Sequence, residues 1–264
     1  MIKKIFFILI IFQSSILYSY ENKIIIASTT STYDSGLLTY LNKNFENKFN
    51  INVQVLALGT GQAIRIAKGG NAELLLVHHI DSENEFIKDG FGIKRYNLMY
   101  NDYILVGPKD DNNKCYKIET KLKNIYDNKF IFISRGDDSG THKKELELWQ
   151  SISLEHEIFD SWYYKVGQGM GNTLLITNEK KGYTLVDRGT WISFKRKTNL
   201  KIICEQLPPL KNQYGLILVN PKINSNLNAE GAIKYVNWLI SDNGKELINN
   251  FKVNNEQLFF YNYK

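Results

Sequence analysis

The stretch SRGDDSGTHKKE, residues 134–145, joins an apolar run to a helical pattern and does most to decide the fold. The run Phe130–Ile133 before it is typical of a buried strand, and the apolar spacing over residues 146–149 indicates a helix. Free backbone N–H groups at a helix start attract anions, and the helix dipole adds to that attraction. Two hydroxyls and the guanidinium of Arg135 supply further donors. The stretch therefore predicts a binding site for a small oxyanion.

A second junction repeats this design near the start of the chain. Five consecutive hydroxyl residues, Ser28–Thr32, follow the apolar run Ile24–Ala27, and helical spacing resumes at Leu37. One of these hydroxyls could serve only as a helix N-cap, which Ser and Thr often do. A cap needs one hydroxyl, so five in a row favour a role in binding.

The N-terminus predicts export. Lys3 and Lys4 precede an apolar run over Ile5–Phe12, and small or polar residues follow up to Ser19. This pattern is typical of a secretory signal peptide, over residues 1–19, and is too short for a stable membrane helix. We expect the mature protein to be periplasmic and soluble.

Composition narrows the function classes. The chain has 264 residues, 43% of them hydrophobic and 13% aromatic, enough for one large domain or two lobes. The formal charge of +6 is spread along the chain without a basic stripe, which argues against nucleic-acid binding. Cys115 and Cys204 could form one disulfide in an exported protein, and the sequence leaves that pairing open. No metal-ligand spacing occurs, so we expect no bound cation and no cofactor.

Strand and helix patterns alternate along the chain, which predicts an α/β fold with largely parallel sheets. The predicted strands are Lys23–Ala27, Asn52–Ala57, Leu74–His78, Tyr103–Gly107, Phe130–Ser134, Tyr183–Val186, Lys201–Cys204 and Gly215–Asn220. The predicted helices are Gly36–Lys48, Gly61–Lys68, Ser82–Asp89, Lys143–Ser151, Gly171–Glu179 and one long amphipathic helix over Glu230–Asn250.

Two similar segments of the sequence indicate that the chain forms two lobes. The segments Asp102–Pro108 and Gln213–Pro221 are both apolar strands that end in proline, as expected of two strands that cross between lobes. We therefore expect one lobe over residues 22–106 and 215–264, and a second over 107–214. A ligand would bind in the cleft between them, at the carboxyl ends of the strands.

Three further loops suit that cleft. Leu58–Gln62 follows a predicted strand and opens a helix, Gly167–Gly171 precedes a helical pattern, and Asp187–Thr190 follows a predicted strand and supplies another arginine. Each loop alone is also compatible with an ordinary turn, and for the last one with a local Asp–Arg pair. None of them matches a phosphate P-loop or a dinucleotide fingerprint.

Taken together, these motifs resemble the tungstate-binding components of bacterial ABC importers, the TupA family. The family pattern T-T-T-S-T-x-x-S-G-L-L corresponds to residues 28–38, with Ser in place of the first Thr, and S-R-G-D-D-S-G-T-H-K-K-E is intact at 134–145. Shorter family segments occur at residues 58–63, 99–102, 167–171 and 184–190, while L-L-V-H-A-P loses its Ala-Pro pair at residues 79–80. The resemblance covers nearly the whole mature chain.

The resemblance implies a two-lobed periplasmic binding-protein fold (type II) that closes on tungstate and delivers it to an ABC transporter permease in the inner membrane. Such a protein is not an enzyme, and we expect a monomer. The implied ligand-binding residues are Thr29, Thr30, Ser31, Thr60, Arg135, Ser139, Gly140, Thr141 and Gly169. We expect Asp137 and Asp138 to start the helix or orient Arg135 and to point away from the ligand. His79, Lys143 and Arg188 are left as surface or supporting residues.

Two alternatives stay open. The same fold could bind molybdate or phosphate, since phosphate-binding proteins use a similar R-x-D-x-S-G-T loop. From another class, the triplets Asp34–Gly36 and Asp138–Gly140 are compatible with an exported hydrolase that uses paired Asp-Ser-Gly carboxylates. Both triplets open helical patterns rather than lying in β structure, which opposes that reading.

Overall fold

The computed structural model describes residues 22–154 and 160–264. The predicted signal peptide over residues 1–19 lies outside the described residues. The strands are Lys23–Thr29 (β1), Asn52–Leu58 (β2), Leu74–Val77 (β3), Gly92–Pro108 (β4), Phe132–Ser134 (β5), Tyr163–Lys165 (β6), Thr184–Asp187 (β7), Leu200–Cys204 (β8), Lys211–Val219 (β9), Lys252–Val253 (β10), Glu256–Gln257 (β11) and Phe260–Tyr261 (β12). The helices are Thr30–Asp34 (α1), Leu37–Phe49 (α2), Thr60–Lys68 (α3), Ile80–Lys88 (α4), Ile118–Asp127 (α5), Gly140–Gln150 (α6), Met170–Glu179 (α7), Arg188–Phe194 (α8), Ala229–Leu239 (α9) and Asp242–Asn250 (α10). No described helix combines the length and the apolar character that crossing a membrane requires.

Strand β4 belongs to both halves of the molecule. Its first part, Gly92–Asp102, pairs with β9 in a sheet of order β12-β4-β9-β3-β1-β2. From Tyr103 onward the same strand pairs with β7 and β8 instead. The sequence predicted only Tyr103–Gly107 as strand here, because polar residues and two bulges hide the regular alternation of the first part.

The two-lobed α/β fold predicted from the sequence is confirmed. The expectation of largely parallel sheets needs a correction. β1 pairs in parallel with β2 and β3, whereas β9 runs antiparallel to both β3 and β4. A strand that returns from the second lobe beside β4 must run the other way, and the main sheet is therefore mixed.

Alternation along the strands covers both faces of each half of the sheet. In β1, Ile24 and Ile26 join one hydrophobic cluster and Ala27 joins another. In the second half of β4, Tyr103 packs in one cluster and Ile104 in a different one. Because successive side chains of a strand point to opposite faces, each lobe has a sheet packed between two apolar layers.

The helices differ from the prediction in several places, and α1 and α8 were not predicted. The pattern over Glu230–Asn250 forms two helices, α9 and α10, which are separated at Ile240 and Ser241. The Ser241 hydroxyl donates to the Trp238 carbonyl at 2.6 Å, a local bond that competes with continuation of the helix. Helix α5 was not predicted, although Ile118, Leu122 and Ile125 in it recur at helical spacing and are buried.

The pairing of Cys115 with Cys204, which the sequence left open, is present as a disulfide. Cys204 is buried at the end of β8 in the same hydrophobic cluster as Tyr103 and Trp149. The bond ties the segment before α5 to the end of β8.

Candidate anion-binding site

Contacts across the cleft bring the strand-to-helix junctions of the two lobes together. The Gly61 N–H at the start of α3 donates to the Asp138 carbonyl at 3.2 Å. Gly140 packs on the ring of His78, and a Cβ placed there would lie 2.8 Å from that ring, so glycine permits the close approach. The predicted loops therefore meet at one place, with the two lobes in contact.

A cavity of about 310 Å³ lies between α1 and the starts of α7 and α8. Its lining does not include the other predicted site residues, which are Thr29, Thr60, Arg135, Ser139, Gly140 and Thr141. Thr30 and Ser31 line it from the first lobe, and Gly169 and Thr190 line it from the second. Gly169 is exposed and caps α7, and a Cβ added there would meet no atom within 4 Å. Three of the predicted site residues, one of them from the second lobe, thus share one cavity.

The five hydroxyls of Ser28–Thr32 divide into supporting and cavity-lining groups. Ser28 donates to the Leu76 carbonyl at 2.7 Å and so belongs to the sheet. Thr29 is the N-cap of α1, and its hydroxyl accepts from the Thr32 N–H at 3.3 Å and bonds the Thr32 hydroxyl at 2.6 Å. Capping therefore accounts for Thr29. It does not account for the hydroxyls of Thr30 and Ser31, which line the cavity.

Thr60 contributes a buried donor from the first lobe. It is the first residue of α3 and has no exposed surface. Its hydroxyl oxygen has no hydrogen-bond partner among the described residues. Buried hydroxyls are nearly always paired in folded proteins, so this one indicates that an acceptor belongs beside it.

Arg135 contributes the corresponding group from the second lobe. The residue is 6% exposed, and one terminal nitrogen donates to the Asp137 carboxylate at 2.5 Å. The Nε–H of the same guanidinium is buried without a partner among the described residues. A buried guanidinium with an unused N–H is suited to bind an anion.

The start of α6 is built from the predicted motif. Ser139 is the N-cap, and its hydroxyl accepts from the His142 N–H at 3.2 Å. Gly140 and Thr141 form the first turn, where both are buried. The helix begins three residues before its predicted start at Lys143, because the cap is Ser139.

The two aspartates of the motif are committed to protein donors. Asp137 accepts from Arg135 and from the Ser139 N–H at 3.2 Å, as expected for a residue that orients Arg135. The Asp138 carboxylate pairs with Lys143 at 3.2 Å and with Arg65 of the first lobe at 3.4 Å. With these partners, both carboxylates serve the loop and the contact between lobes.

The glycine-rich loop before α7 is fastened to the Arg135 loop. Gly167 has a φ of +62° and its N–H donates to the Arg135 carbonyl at 2.8 Å. The Val166 N–H donates to the Ser134 carbonyl at 3.1 Å. These backbone bonds fix the position of Arg135 relative to Gly169.

Arg188 is not among the groups that are available to donate hydrogen bonds to an anion. It donates to both oxygens of Asp102, at 2.5 and 2.6 Å, and to Glu205 at 2.6 Å. Asp187 instead caps α8 through the Thr190 N–H and hydroxyl. The local Asp187–Arg188 pair considered from the sequence is therefore absent from the contacts of these residues.

A buried polar network beneath the cleft was not predicted from the sequence. The Nδ1 atom of His78 lies 2.7 Å from the Tyr103 hydroxyl and 2.9 Å from the Asn212 side-chain oxygen. Burial lowers the pKa of His78 to about 4, and the charge of Arg135 adds to the shift. Burial also raises the pKa of Asp187, although bonds from Thr190 and the charge of Arg135 oppose the rise. Tyr103 and Asn212 lie in ordinary strand patterns, which give no signal of this role.

We expect the buried His78 to make stability sensitive to acid. Its pKa is about 4 in the folded protein and 6.5 in a free chain, so the unfolded chain binds the extra proton first. The free energy of unfolding then falls by about 3 kcal/mol as the pH drops from 6.5 through 4. In His78→Gln this loss should be absent, as measured by urea unfolding of variant and wild type at each pH. Parallel pH curves for the two proteins would contradict the prediction.

One cluster of possible cation ligands occurs within the described residues. Donor atoms of His79, Asp81 and Glu147 lie within 4.8 Å of one another. His79 Nδ1 accepts from the Ser82 N–H at 3.2 Å, so the ring proton sits on Nε2, which lies 3.1 Å from Glu147. The nitrogen that faces the carboxylates therefore has no lone pair for a cation in this arrangement.

Comparison with known proteins agrees with this geometry. The family model of a PBP superfamily domain matches residues 19–243. Two curated relatives, both named tungstate-binding protein TupA, come from Peptoclostridium acidaminophilum and Campylobacter jejuni. They are 47% and 40% identical to this chain, cover 88% and 87% of it, and are themselves covered over 82% and 87% of their length. The solved TupA structure from Desulfovibrio alaskensis G20 has a TM-score of 0.82 at 37% identity, over 92% of this chain and 99% of that one. The chain therefore belongs to the TupA family of the PBP superfamily.

Proposed function

We propose that this protein captures tungstate in the cleft between its lobes and delivers it to the permease of an ABC transporter. The proposed ligand-binding residues are those implied by the sequence: Thr29, Thr30, Ser31, Thr60, Arg135, Ser139, Gly140, Thr141 and Gly169. The observation that carries the proposal is the pair of buried, unpartnered donors, the Thr60 hydroxyl and the Arg135 Nε–H, one from each lobe. Two relatives that are 47% and 40% identical to this chain are named for tungstate binding.

The chemistry of the donor set suits a fully deprotonated anion. Tungstate accepts hydrogen bonds and has no proton to donate, so hydroxyls, N–H groups and a guanidinium satisfy it fully. A buried dianion without donors would cost tens of kcal/mol, on the order of the Born penalty for each charge. The site therefore needs many donors and no ionised carboxylate in contact with the ligand.

Phosphate is the less suitable ligand for this arrangement. Hydrogen phosphate carries a proton, which a carboxylate in the site has to accept. Asp137 accepts from Arg135 and from the Ser139 N–H, and Asp138 pairs with Arg65 and Lys143. Because both carboxylates already interact with protein donors, the arrangement favours tungstate or molybdate over phosphate. The same interactions oppose a hydrolase in which two aspartates share a proton.

We further propose that residues 22–106 with 215–264 form the first lobe and residues 107–214 the second. The exchange of β4 partners between Asp102 and Tyr103 supports a crossing within a few residues of these bounds. Anion binding across both lobes would favour the closed arrangement, which the permease would recognise. An exported, periplasmic monomer fits this role, and neither a cofactor nor turnover of a substrate is part of it.

Calorimetric titration of the mature protein with tungstate, molybdate, sulfate and phosphate tests the proposal. We expect one site per chain that binds tungstate tightly and binds phosphate much more weakly. A protein that binds phosphate alone would be a phosphate receptor. A protein that binds none of the four anions would contradict a transport function.

Thr60→Val removes the unpartnered hydroxyl and keeps the shape of the side chain. A hydrogen bond to a charged group contributes about 1.5–3 kcal/mol, so we expect tungstate affinity to fall roughly 10- to 150-fold. Thr39→Val, on the exposed side of α2, is the matched control and should bind as the wild type does. Unchanged affinity in Thr60→Val would place the anion away from α3.

A further inference from the structure

Glu145 is a buried carboxylate that the anion site does not explain. It lies in α6, is 3% exposed, and accepts from the Tyr163 hydroxyl at 2.5 Å. The side chains of Ser134 and Trp149 also direct donors toward it. Among the ion pairs of residues 22–154 and 160–264, none includes Glu145. A carboxylate held only by neutral donors is costly to bury, which calls for an explanation.

Glu145 is linked to the Arg135 loop through Ser134. The Ser134 hydroxyl accepts from the Gly136 N–H at 3.2 Å. Gly136 has a φ of +60°, and this left-handed turn sets the direction in which Arg135 leaves the strand β5. The carboxylate therefore anchors the hydroxyl that holds the turn.

With the charged groups that surround Glu145, the pKa of its carboxyl group is sensitive to added negative charge. Burial raises its pKa to about 7, and the charge of Asp137 adds to the rise. α6 packs against α5 and β7, where Lys121 is paired with Asp111 and Asp187 is held by Thr190. On α6 itself, Lys143 and Lys144 are paired with Asp138 and Glu147, and His142 bonds the Asp137 carbonyl. Because Asp137 contacts Arg135, a dianion bound by Arg135 would act on Glu145 in the same direction as Asp137.

We propose that Glu145 is a positioning residue for the anion site and that its carboxyl group becomes more fully protonated, by uptake from solvent, when the cleft binds a dianion. The inference rests on the proposed function. Protonation removes a negative charge from beneath the Arg135 loop as two negative charges arrive above it. The neutral carboxyl group still accepts from Tyr163, so the loop keeps its support. By linkage, binding and proton uptake favour each other to the same extent.

Proton uptake can be measured without changing the protein. Tungstate is titrated calorimetrically into the mature wild type at pH 7.5, in buffers that differ in ionisation enthalpy. We expect the heat of binding to vary with the buffer, with a slope that shows uptake of a fraction of a proton. Affinity should fall about fivefold between pH 7 and pH 9 if binding raises the pKa of the group by about one unit from its value of about 7.

Glu145→Gln keeps an acceptor for Tyr163 and removes the titrating group. We expect its binding heat to be independent of the buffer and its affinity to be constant from pH 7 to pH 9. Glu179→Gln, an exposed carboxylate at the end of α7, should keep the wild-type profile.

The outcomes separate the inference from the proposed function. A merely structural role for Glu145 would change affinity by the same factor at every pH, and that result would overturn proton uptake. Tight wild-type binding with heat that does not depend on the buffer would overturn it as well, even if Glu145→Gln failed to fold. If no oxyanion binds to the wild type at any pH, the proposed function fails and the inference falls with it.

Discussion

Arg135→Ala is expected to lower tungstate affinity by about 2–5 kcal/mol, roughly thirty- to several-thousand-fold. The guanidinium is the permanent positive charge of the proposed site, it is 6% exposed, and its Nε–H is buried without a partner among the described residues. In this position a bond to an oxyanion is charge-assisted and little screened by water. Calorimetric titration of variant and wild type, at the same pH and salt concentration, measures the loss.

Three further variants identify the cause of that loss. Arg135→Lys keeps the charge but not the planar fork, so its affinity should lie between those of the wild type and the alanine variant. Asp137→Asn removes the charge that pairs with Arg135 at 2.5 Å and shows how much of the effect is due to a carboxylate left without its partner. Arg196→Ala removes an exposed arginine and should leave affinity unchanged. An affinity of Arg135→Ala within threefold of the wild type would rule out direct contact between this side chain and the anion.

The sequence was most informative at positions where the residue type allows few physical roles. Arg135 and the hydroxyls between a strand and a helical pattern predicted hydrogen-bond donors for an anion at a helix start, and the structure adds that Ser139 is the N-cap of that helix. The alternation of apolar runs with helical patterns was enough for the α/β class. The helix start moved from Lys143 to Gly140 because glycine and threonine carry no apolar signal for a first turn.

The parts that sequence did not predict depend on distant contacts. The network of His78, Tyr103 and Asn212 joins the residue after β3 to β4 and β9, which lie far apart in the chain, and no local spacing marks it. The salt bridge of Asp138 to Arg65 likewise exists only when the lobes meet. The long strand β4 was shortened in the prediction because its first part is polar, and its partner β9 follows more than a hundred residues later.

The second large effect is expected on stability, from loss of the Cys115–Cys204 disulfide. The bond joins residues 89 apart in sequence, and the loop that it closes contains β5–β8 and α5–α8. A crosslink over a loop of this length restricts the unfolded chain strongly, and removing a native disulfide costs about 2–5 kcal/mol. Cys115→Ala/Cys204→Ala should therefore unfold at a clearly lower urea concentration than the oxidised wild type.

Reduction of the wild type provides the matched comparison, because it breaks the same bond without changing any side chain except by adding two hydrogens. We expect the reduced wild type to unfold close to the double alanine variant, and the reductant to leave that variant unchanged. Neither cysteine lines the cavity that Thr30 and Gly169 share, so the variant should still bind tungstate at low temperature with nearly wild-type affinity. The bond would then act on the unfolded chain and on the cohesion of the second lobe, and not on the anion site. Unfolding of the reduced wild type at the oxidised midpoint would show instead that the cluster around Trp149 holds this lobe together by itself.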